Sequence, residues 1–287
     1  MDIKIKTARL SIFSNLFLIF IKLFAGVLSG SVSILSEAIH SGIDLIASAI
    51  AFFAVKISSR APDEKHPYGH GKFENISGVI EGLLIFIAAF WIIFESVNKI
   101  LHPSDIQYLE IAAAVMFISA IINFFISKRL YTIAEKTDSI ALKADALHLK
   151  TDVYSSIGVG LGMLVIWLTD WHFFDPIFAI IVALFIMREA FELVKDAISP
   201  LLDSQVKNDE YNELKNKLHE YTQNAKVQYK NLRSRKSGAS HLIDFTLLVD
   251  PNMSVKKSHD ICDELEKKLE NLYLETDISI HVEPIPE

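Results

Sequence analysis

Two identical pairs of metal-binding residue types occur in apolar parts of the chain. His40 and Asp44 lie four residues apart, and His148 and Asp152 repeat the same His-x-x-x-Asp spacing. On a helix, residues four apart share one face. Two imidazoles and two carboxylates provide the four nitrogen and oxygen ligands that tetrahedral zinc takes, whereas calcium and magnesium prefer oxygen ligands throughout. The pairs therefore predict a site for a divalent transition metal.

An alternative is that each pair is only a hydrogen bond within one helix, which is the ordinary interpretation in a soluble protein. In a bilayer, an ionisable group costs about 2.5–3.5 kcal/mol even on the lenient insertion scale, and such groups usually mark ion or proton pathways. Because both pairs lie in long apolar runs, a metal site is favoured. Glu37 and Asp145 adjoin the pairs, either as carboxylates that support the ligands or line the entrance, or as solvated residues near helix ends, which is the favoured interpretation. Glu81 and Asn15 receive no role.

The elements that carry these pairs are six apolar runs. A bilayer core about 30 Å thick needs roughly 20 mostly apolar residues in a helix. The runs cover about 7–29, 33–58, 74–100, 106–130, 140–168 and 172–197 of a chain that is 51% hydrophobic. After Leu202 the composition becomes charged and typical of soluble proteins. We predict a six-helix transmembrane domain at 1–202 and a cytoplasmic domain at 203–287.

Lysine and arginine indicate the orientation of the runs. Basic residues collect at alternate ends: Lys4, Lys6, Arg9; Lys56, Arg60, Lys65, Lys72; Lys128, Arg129, Lys136, Lys143; Arg188 and Lys195. By the positive-inside rule these ends are cytoplasmic. The sequence thus predicts a multi-pass protein of the cell (inner) membrane with both termini in the cytoplasm. At about 1.5 Å per residue, both His–Asp pairs lie roughly 12–18 Å from their membrane surfaces.

The loop between the second and third runs contains three further metal-ligand types, Asp63, His66 and His70. On residue types alone, a polar loop without metal is equally compatible with this segment.

The tail is predicted to contain helices at about 206–222 and 254–272. The strands of the tail are predicted at about 225–235, 240–249 and 276–283, which gives an αββαβ order with Gly238 in the first turn. Alternation along the last strand places His281 and Glu283 on one face, while His241 and Asp244 point to opposite faces of the neighbouring strand. Exposed polar residues without a ligand are the ordinary interpretation of such a face.

Together these motifs resemble the cation diffusion facilitator family, and in particular its bacterial zinc and iron efflux branch. The resemblance covers nearly the whole chain. It rests on the paired motifs ending in Asp44 and Asp152, the His-Pro-Tyr-Gly-His-Gly-Lys-Phe-Glu loop at 66–74, and the Leu-Leu-Asp that ends at Asp203.

The resemblance implies a homodimeric, proton-coupled exporter of divalent metal, with a ferredoxin-like cytoplasmic tail and no prosthetic group. It implies a transport site, a loop site, a tentative tail site and a charge interlock that holds the dimer near the membrane surface. These are, in order, His40, Asp44, His148, Asp152; Asp63, His66, His70; His259, His281, Glu283; and Lys72 with Asp203. Zinc is the implied transported ion and a regulatory ligand of the tail.

Two departures from the family pattern bear on the metal. Bacterial relatives often have aspartate where His40 stands, and histidine there resembles the zinc-preferring members, with cadmium, iron and manganese as the alternatives. Lys230 and Thr246 stand where relatives carry further histidines in the tail. The tail site is therefore expected to be sparser or weaker than in those relatives.

Other functions are compatible with parts of the sequence. A membrane-anchored metal sensor needs the tail but not the duplicated pairs in the membrane, and a passive channel would conduct metal without proton counterflow. No Gly-x-x-x-x-Gly-Lys-Ser/Thr loop for ATP is present. An enzymatic activity or a nucleic-acid partner is not predicted.

Overall fold

The computed structural model describes residues 3–29, 32–101, 109–169, 174–225 and 227–286. Six long helices come first in the chain. They are α1 (Ile3–Ser29), α2 (Val32–Ser58), α3 (Lys72–Leu101), α4 (Leu109–Thr137), α5 (Ile140–Thr169) and α6 (Phe174–Leu201). The predicted helical domain is confirmed, since each helix contains one of the six apolar runs almost entirely.

Three of these helices are long and apolar enough to cross a membrane within the part of the chain that the structure describes. The segments are Ile3–Phe24, Lys72–Asn98 and Ala114–Thr137. Their outer surfaces carry large exposed apolar side chains, such as Phe13, Phe90 and Phe125. A water-soluble surface rarely exposes so much contiguous apolar area, whereas lipid tails cover it without cost.

Small residues line the contacts between the helices. One apolar cluster joins α1, α2, α4 and α5 and includes Ala8, Ala54, Ala134, Ala141 and Ala146. A second joins α3, α5 and α6, with alanines 89, 144, 183 and 190 among its members. Alanine allows two helix backbones to approach closely, as expected where packing rather than exclusion of water holds helices together. Helix α5 belongs to both clusters and so lies at the centre of the domain.

The fourth helix extends beyond its predicted end at residue 130. It continues to Thr137 because its last two turns, although charged, are amphipathic and bury Leu130, Ile133 and Ala134. The chain then turns at Asp138, whose φ of 47° is left-handed. Hydropathy places the end of the apolar run where charged residues begin, whereas the helix itself ends where the backbone turns.

The tail contains α7 (Asn208–Ala225), β1 (Gln228–Ser237), β2 (Ser240–Val249), α8 (Val255–Glu270) and β3 (Glu275–Pro284). This is the predicted αββαβ order. The sheet order is β1-β2-β3, with β1 antiparallel and β3 parallel to the central β2. Leu214 and Leu218 of α7 pack with Ile243, Leu247 and Leu265 in a core on one face of the sheet. The other face carries His281 and Glu283 of β3, two of the three residues at which a tail metal site is expected.

The loop before α3 belongs to the same compact unit as the tail. Residues 61–72 group with 198–287, and residues 1–60 and 73–197 form the other unit. Gly71 lies against the turn between β1 and β2, where an added methyl group would overlap the backbone oxygen of Ser237. Gly238 in that turn has a φ of 62° and meets Gly71 from the other side. Both positions thus require glycine, one for space and one for conformation.

Candidate metal centres

Ligand atoms from two helices meet in the transmembrane domain. One carboxylate oxygen each from Asp44 on α2 and Asp152 on α5, and one ring nitrogen of His148 on α5, all lie within 4.8 Å of one another. His148 Nε2 lies 3.1 Å from Asp44 Oδ1, and this contact crosses between the two helices. All three side chains are at most 9% exposed. The geometry differs from a hydrogen bond within one helix and provides three ligands around one point.

The fourth predicted residue of this site is His40. It lies on α2 one turn before Asp44, and its side chain lies outside those that the structure describes. His148 retains one ring nitrogen, Nδ1, with no hydrogen-bond partner in the described part of the chain. The described site therefore combines two carboxylates with one imidazole, a mixed oxygen and nitrogen set that suits zinc and related divalent metals.

A network of hydrogen bonds supports Asp44 from α1. Asn15 donates its side-chain N–H to the backbone oxygen of Asp44 at 3.4 Å and to Ser48 Oγ at 2.7 Å. Ser48 donates in turn to Asp145 Oδ1 at 2.8 Å, and Ser11 Oγ lies 3.0 Å from Ser48 Oγ. The network joins α1, α2 and α5 behind the ligands. It fixes the relative rotation of the helices that hold them.

Asp145 and Glu81 are fully buried, each at 0% exposure. The interpretation of Asp145 as a solvated residue near a helix end is therefore wrong, because Asp145 lies inside the helical domain and accepts a hydrogen bond from Ser48 of α2. Glu81 Oε1 accepts a hydrogen bond from Ser77 at 2.8 Å. Glu81 Oε2 and Asp145 Oδ2 have no hydrogen-bond partner among the described residues. An acidic residue inside an apolar run was the available signal for Glu81, since such residues are costly in a membrane.

A second group of ligand types forms within the loop. Asp63 Oδ1 lies 3.2 Å from His66 Nδ1, and Asp63 Oδ2 lies 3.4 Å from His70 Nε2. The two imidazole rings are 4.3 Å apart between centroids. The backbone N–H groups of Lys65 and His66 donate to Asp63 Oδ1. The N–H of His66 is the leading cause that lowers the pKa of Asp63, so the carboxylate stays ionised and available to a cation.

Lys72 and Asp203, the residues of the implied interlock, are in direct contact. Lys72 Nζ lies 2.8 Å from Asp203 Oδ1, and Arg235 of β1 donates to the same oxygen at 2.8 Å. The guanidinium of Arg235 also lies 5.6 Å from the ring centroid of Tyr68 in the loop. Sequence reasoning missed Arg235, because nothing in the order of residues indicates which strand position reaches Asp203.

The interlock predicts an acid-sensitive contribution to stability. Lys72 first, and then Arg235, lower the pKa of Asp203 from 3.8 to about 2. A carboxyl group whose pKa falls on folding stabilises the protein above its ordinary pKa, and this contribution disappears as the pH falls through the folded value. We expect Asp203→Asn to lower the melting temperature at pH 7 and the difference from the native protein to shrink between about pH 5 and pH 2.

Thermal unfolding in detergent, followed by circular dichroism across this pH range, measures the difference. Asp260→Asn is a matched control, because Asp260 is exposed on α8. It should show no such pH-dependent difference. A deficit in Asp203→Asn that stays constant down to pH 3 would show that Asp203 acts through packing and not through its charge.

The tail residues His259, His281 and Glu283 do not form one group of ligands within the part of the chain that the structure describes. Glu283 Oε1 lies 3.4 Å from His281 Nε2, on one face of β3 as predicted. His259 lies on α8 beside Asp263 at 3.6 Å, and the three are not among the described groups with ligand atoms within 4.8 Å. Lys230 Nζ lies 2.7 Å from Glu283 Oε2 and lowers the pKa of that carboxyl. The Lys230 ammonium group is thus paired with the Glu283 carboxylate, which a metal ion would need as a ligand.

Removing this ammonium is expected to strengthen metal binding by the tail. In Lys230→Ala the Glu283 carboxylate loses its competitor, and we expect zinc to bind beside His281 about fivefold more tightly, the order of an exposed ion pair. Isothermal titration of the full chain measures the change. Lys230→Arg keeps the charge and serves as the control, and His281→Ala should abolish the gain. A gain that persists without His281 would place the metal elsewhere.

A helical membrane domain with buried acidic and imidazole side chains, followed by a small cytoplasmic α+β domain, is the architecture of a cation transporter. Residues 8–202 match the family described as cation efflux transmembrane domain. Residues 206–285 match the cation efflux protein, cytoplasmic domain. The chain belongs to the cation diffusion facilitator family. It is a membrane-embedded cation efflux protein and not an enzyme.

Individual relatives agree over nearly the full length. The chain is 30% identical to the cation-efflux pump FieF of Shewanella oneidensis, over 99% of this chain and 95% of that protein. It is 28% identical to the manganese efflux system protein MneP of Bacillus subtilis, over 97% of this chain and 95% of that protein. A solved structure of the transporter CzrB matches 28% of this chain and 99% of that chain, with 27% identity and a TM-score of 0.27.

Proposed function

We propose that the protein exports a divalent transition metal, zinc in the first place, from the cytosol in exchange for protons. The observation that supports this most is the meeting of Asp44, His148 and Asp152 from two helices at one buried point. Ionisable groups are retained inside a membrane where they bind a cation or carry protons. A transported ion needs ligands near mid-membrane that both sides can reach in turn, and the positions of these three residues along α2 and α5 predict that depth.

Zinc is favoured by the nitrogen content of the site. Imidazole suits zinc, copper, iron and nickel, while manganese is better served by carboxylate, carbonyl and water. His148 supplies one imidazole, and His40 supplies a second when it completes the set four residues from Asp44. The relative named for manganese makes manganese the alternative substrate. The competition between the two metals is therefore a matter of the ligand at residue 40.

Proton exchange follows from the chemistry of the ligands. Metal binding requires a neutral imidazole and ionised carboxylates, so metal and protons compete for the same side chains. The contact of 3.1 Å between His148 Nε2 and Asp44 Oδ1 joins two of these groups by one hydrogen bond, so a single proton lies between them. Protons that enter from outside would displace the metal, and their release to the cytosol would restore the site. Transport is then driven by the proton gradient.

The remaining predicted sites are assigned to regulation and assembly. We assign residues 1–202 to transport and 203–287 to a cytoplasmic domain that senses zinc and holds a homodimer, in a cell (inner) membrane with both termini in the cytosol. Asp63, His66 and His70 form the loop site. The Lys72–Asp203 interlock ties this loop to the start of the tail, and His259, His281 and Glu283 are tail ligands whose set a second protomer completes.

Reconstitution into liposomes tests the proposal. The purified protein is placed in vesicles with a fluorescent zinc indicator and a pH indicator inside, and a pH step is imposed in the presence of external zinc. We expect zinc entry and proton exit to occur together and to stop when the pH difference is removed. Zinc flux without proton movement would identify a channel. Zinc binding without any flux would contradict transport and favour the anchored sensor.

A further inference from the structure

A groove opens between α4 and α5 on the outside of the helical domain. It has a volume of about 390 Å³ and is lined by Phe124, Ser127, Lys128 and Tyr131 of α4, and by Lys150, Val153 and Tyr154 of α5. The wall is mostly apolar, and Phe124 and Tyr154 are exposed. Ser127 Oγ donates a hydrogen bond to the backbone oxygen of Ala146 at 2.8 Å and so joins α4 to α5 beside the groove. The groove thus combines two ammonium groups and two phenols with an apolar surface.

The two lysines lie at the same depth from the turn that joins α4 and α5. Lys128 stands nine residues before Thr137 and Lys150 ten residues after Ile140, which places both about 14–15 Å from the helix ends. A bilayer with its headgroups is about 40–45 Å thick around a hydrocarbon core of about 30 Å. The Cα atoms of both lysines therefore lie about 7–10 Å inside the hydrocarbon. Their long stems extend the ammonium groups from there toward the headgroup level.

Lys150 lies between two transport ligands in sequence but on the other side of α5. His148 and Asp152 face α2 across the helix, while the Lys150 ammonium lies 5.9 Å from the ring centroid of Tyr131 and 5.6 Å from that of Tyr154. Positions two apart on a helix do not share a face. The groove is thus a separate feature and belongs to the lipid-facing surface.

The charges of the groove are only partly compensated. Lys150 Nζ lies 3.4 Å from Glu189 Oε2 on α6, which offsets one of the two positive charges. Lys128 forms no ion pair with any residue that the structure describes. A lysine at this depth needs an anion or water nearby, because the surrounding lipid tails solvate neither charge nor hydrogen-bond donors. The groove retains a net positive charge beside an apolar wall.

We infer that this groove binds an anionic phospholipid. The phosphate group lies between the ammonium groups of Lys128 and Lys150, the phenols of Tyr131 and Tyr154 pack beside the headgroup, and an acyl chain covers Phe124 and Val153. Basic pockets between transmembrane helices bind anionic headgroups, and each lysine near the membrane surface strengthens the attraction to anionic lipid by about fivefold. With one charge partly offset by Glu189, this corresponds to a preference for an anionic over a zwitterionic lipid of about tenfold.

Native mass spectrometry of the full chain tests the inference. The detergent-solubilised protein is mixed with equal amounts of phosphatidylglycerol and phosphatidylcholine of the same acyl chains, and the ratio of the two single-lipid complexes is measured. We expect a ratio of about ten for the native chain and a ratio near that of free partitioning for K128Q/K150Q. The double variant K6Q/K56Q removes the same charge from exposed positions outside the groove and should retain the native ratio.

Two results would overturn the inference. Equal retention of both lipids by the native chain would show that only acyl chains occupy the groove, and an unchanged ratio in K128Q/K150Q would place the anionic lipid elsewhere. Size-exclusion chromatography checks that the variants remain folded. If the double variant aggregates, K128Q alone decides, since it leaves the Lys150–Glu189 pair intact and should lower the ratio about fivefold. K128R/K150R should keep the native ratio, because both charges remain.

Discussion

Replacing Asp152 with asparagine is expected to lower the initial rate of zinc transport at least about 100-fold. The substitution keeps the size of the side chain and removes one of the two described carboxylates of the buried site. Ligands in a low-dielectric, water-poor environment cannot be replaced by solvent, and even residues that only support a metal ligand change affinity by about 10–100-fold. Loss of a ligand also removes one group for which zinc and protons compete, so proton exit should fall with zinc entry.

Zinc entry into liposomes, measured from the first seconds after a pH step, gives the rate. Asp196→Asn is a matched control, because Asp196 also lies on a transmembrane helix and pairs with Lys143 at 3.2 Å, away from the site. It should transport at the native rate. Equal thermal unfolding of both variants would exclude a folding defect. Native zinc flux through Asp152→Asn would remove Asp152 from the transport site and with it the proposed four-ligand set.

The architecture could be predicted from the sequence because its signals are local. Six apolar runs required a membrane, and alternating strand patterns with Gly238 between them required a hairpin in the tail. The end of α4 could not be predicted in the same way, since its last two turns combine charges with the buried Leu130 and Ile133. Hydropathy describes where a helix meets lipid, whereas the end of a helix depends on packing and on the backbone turn at Asp138.

Part of the candidate site could likewise be predicted from the sequence, and part of it could not. The spacing of His148 and Asp152 on α5 is visible in sequence, and so is that of the matching pair on α2. What the spacing does not contain is the contact across helices, because the rotation of one helix against another is set by side chains such as Asn15 and Ser48. For this reason the sequence alone does not predict that Asp145 is buried.

In the tail, the contact of one residue, Lys230, could not be predicted from the sequence. In the sequence, Lys230 is only a departure from the family pattern. Its ammonium proved to lie 2.7 Å from Glu283, two strands away in the sheet. A residue that fails to match a ligand pattern can thus still act on the ligand, by supplying the positive charge that a metal would bring. Only the register of β1, β2 and β3 reveals this pairing.

Replacing His40 with aspartate is expected to raise the rate of manganese transport relative to zinc at least about tenfold. The change converts a set of two imidazoles and two carboxylates into one imidazole and three carboxylates. Carboxylate oxygen suits manganese, and imidazole favours zinc over it. The added negative charge also strengthens the attraction of any divalent cation, so manganese should gain while zinc loses little in absolute rate.

Parallel flux measurements with zinc and manganese in the same liposomes give the ratio. His219→Asp makes the same change on α7, where His219 is exposed and its Nε2 lies 2.9 Å from Gln223 Nε2, and should leave the ratio unchanged. Since both variants add one negative charge to the protein, a general electrostatic effect on cation entry would appear in both. A ratio that rises equally in the two variants would mean that charge, and not the ligand at residue 40, selects the metal. A ratio that changes only in His40→Asp assigns the selection to the coordination chemistry of that position.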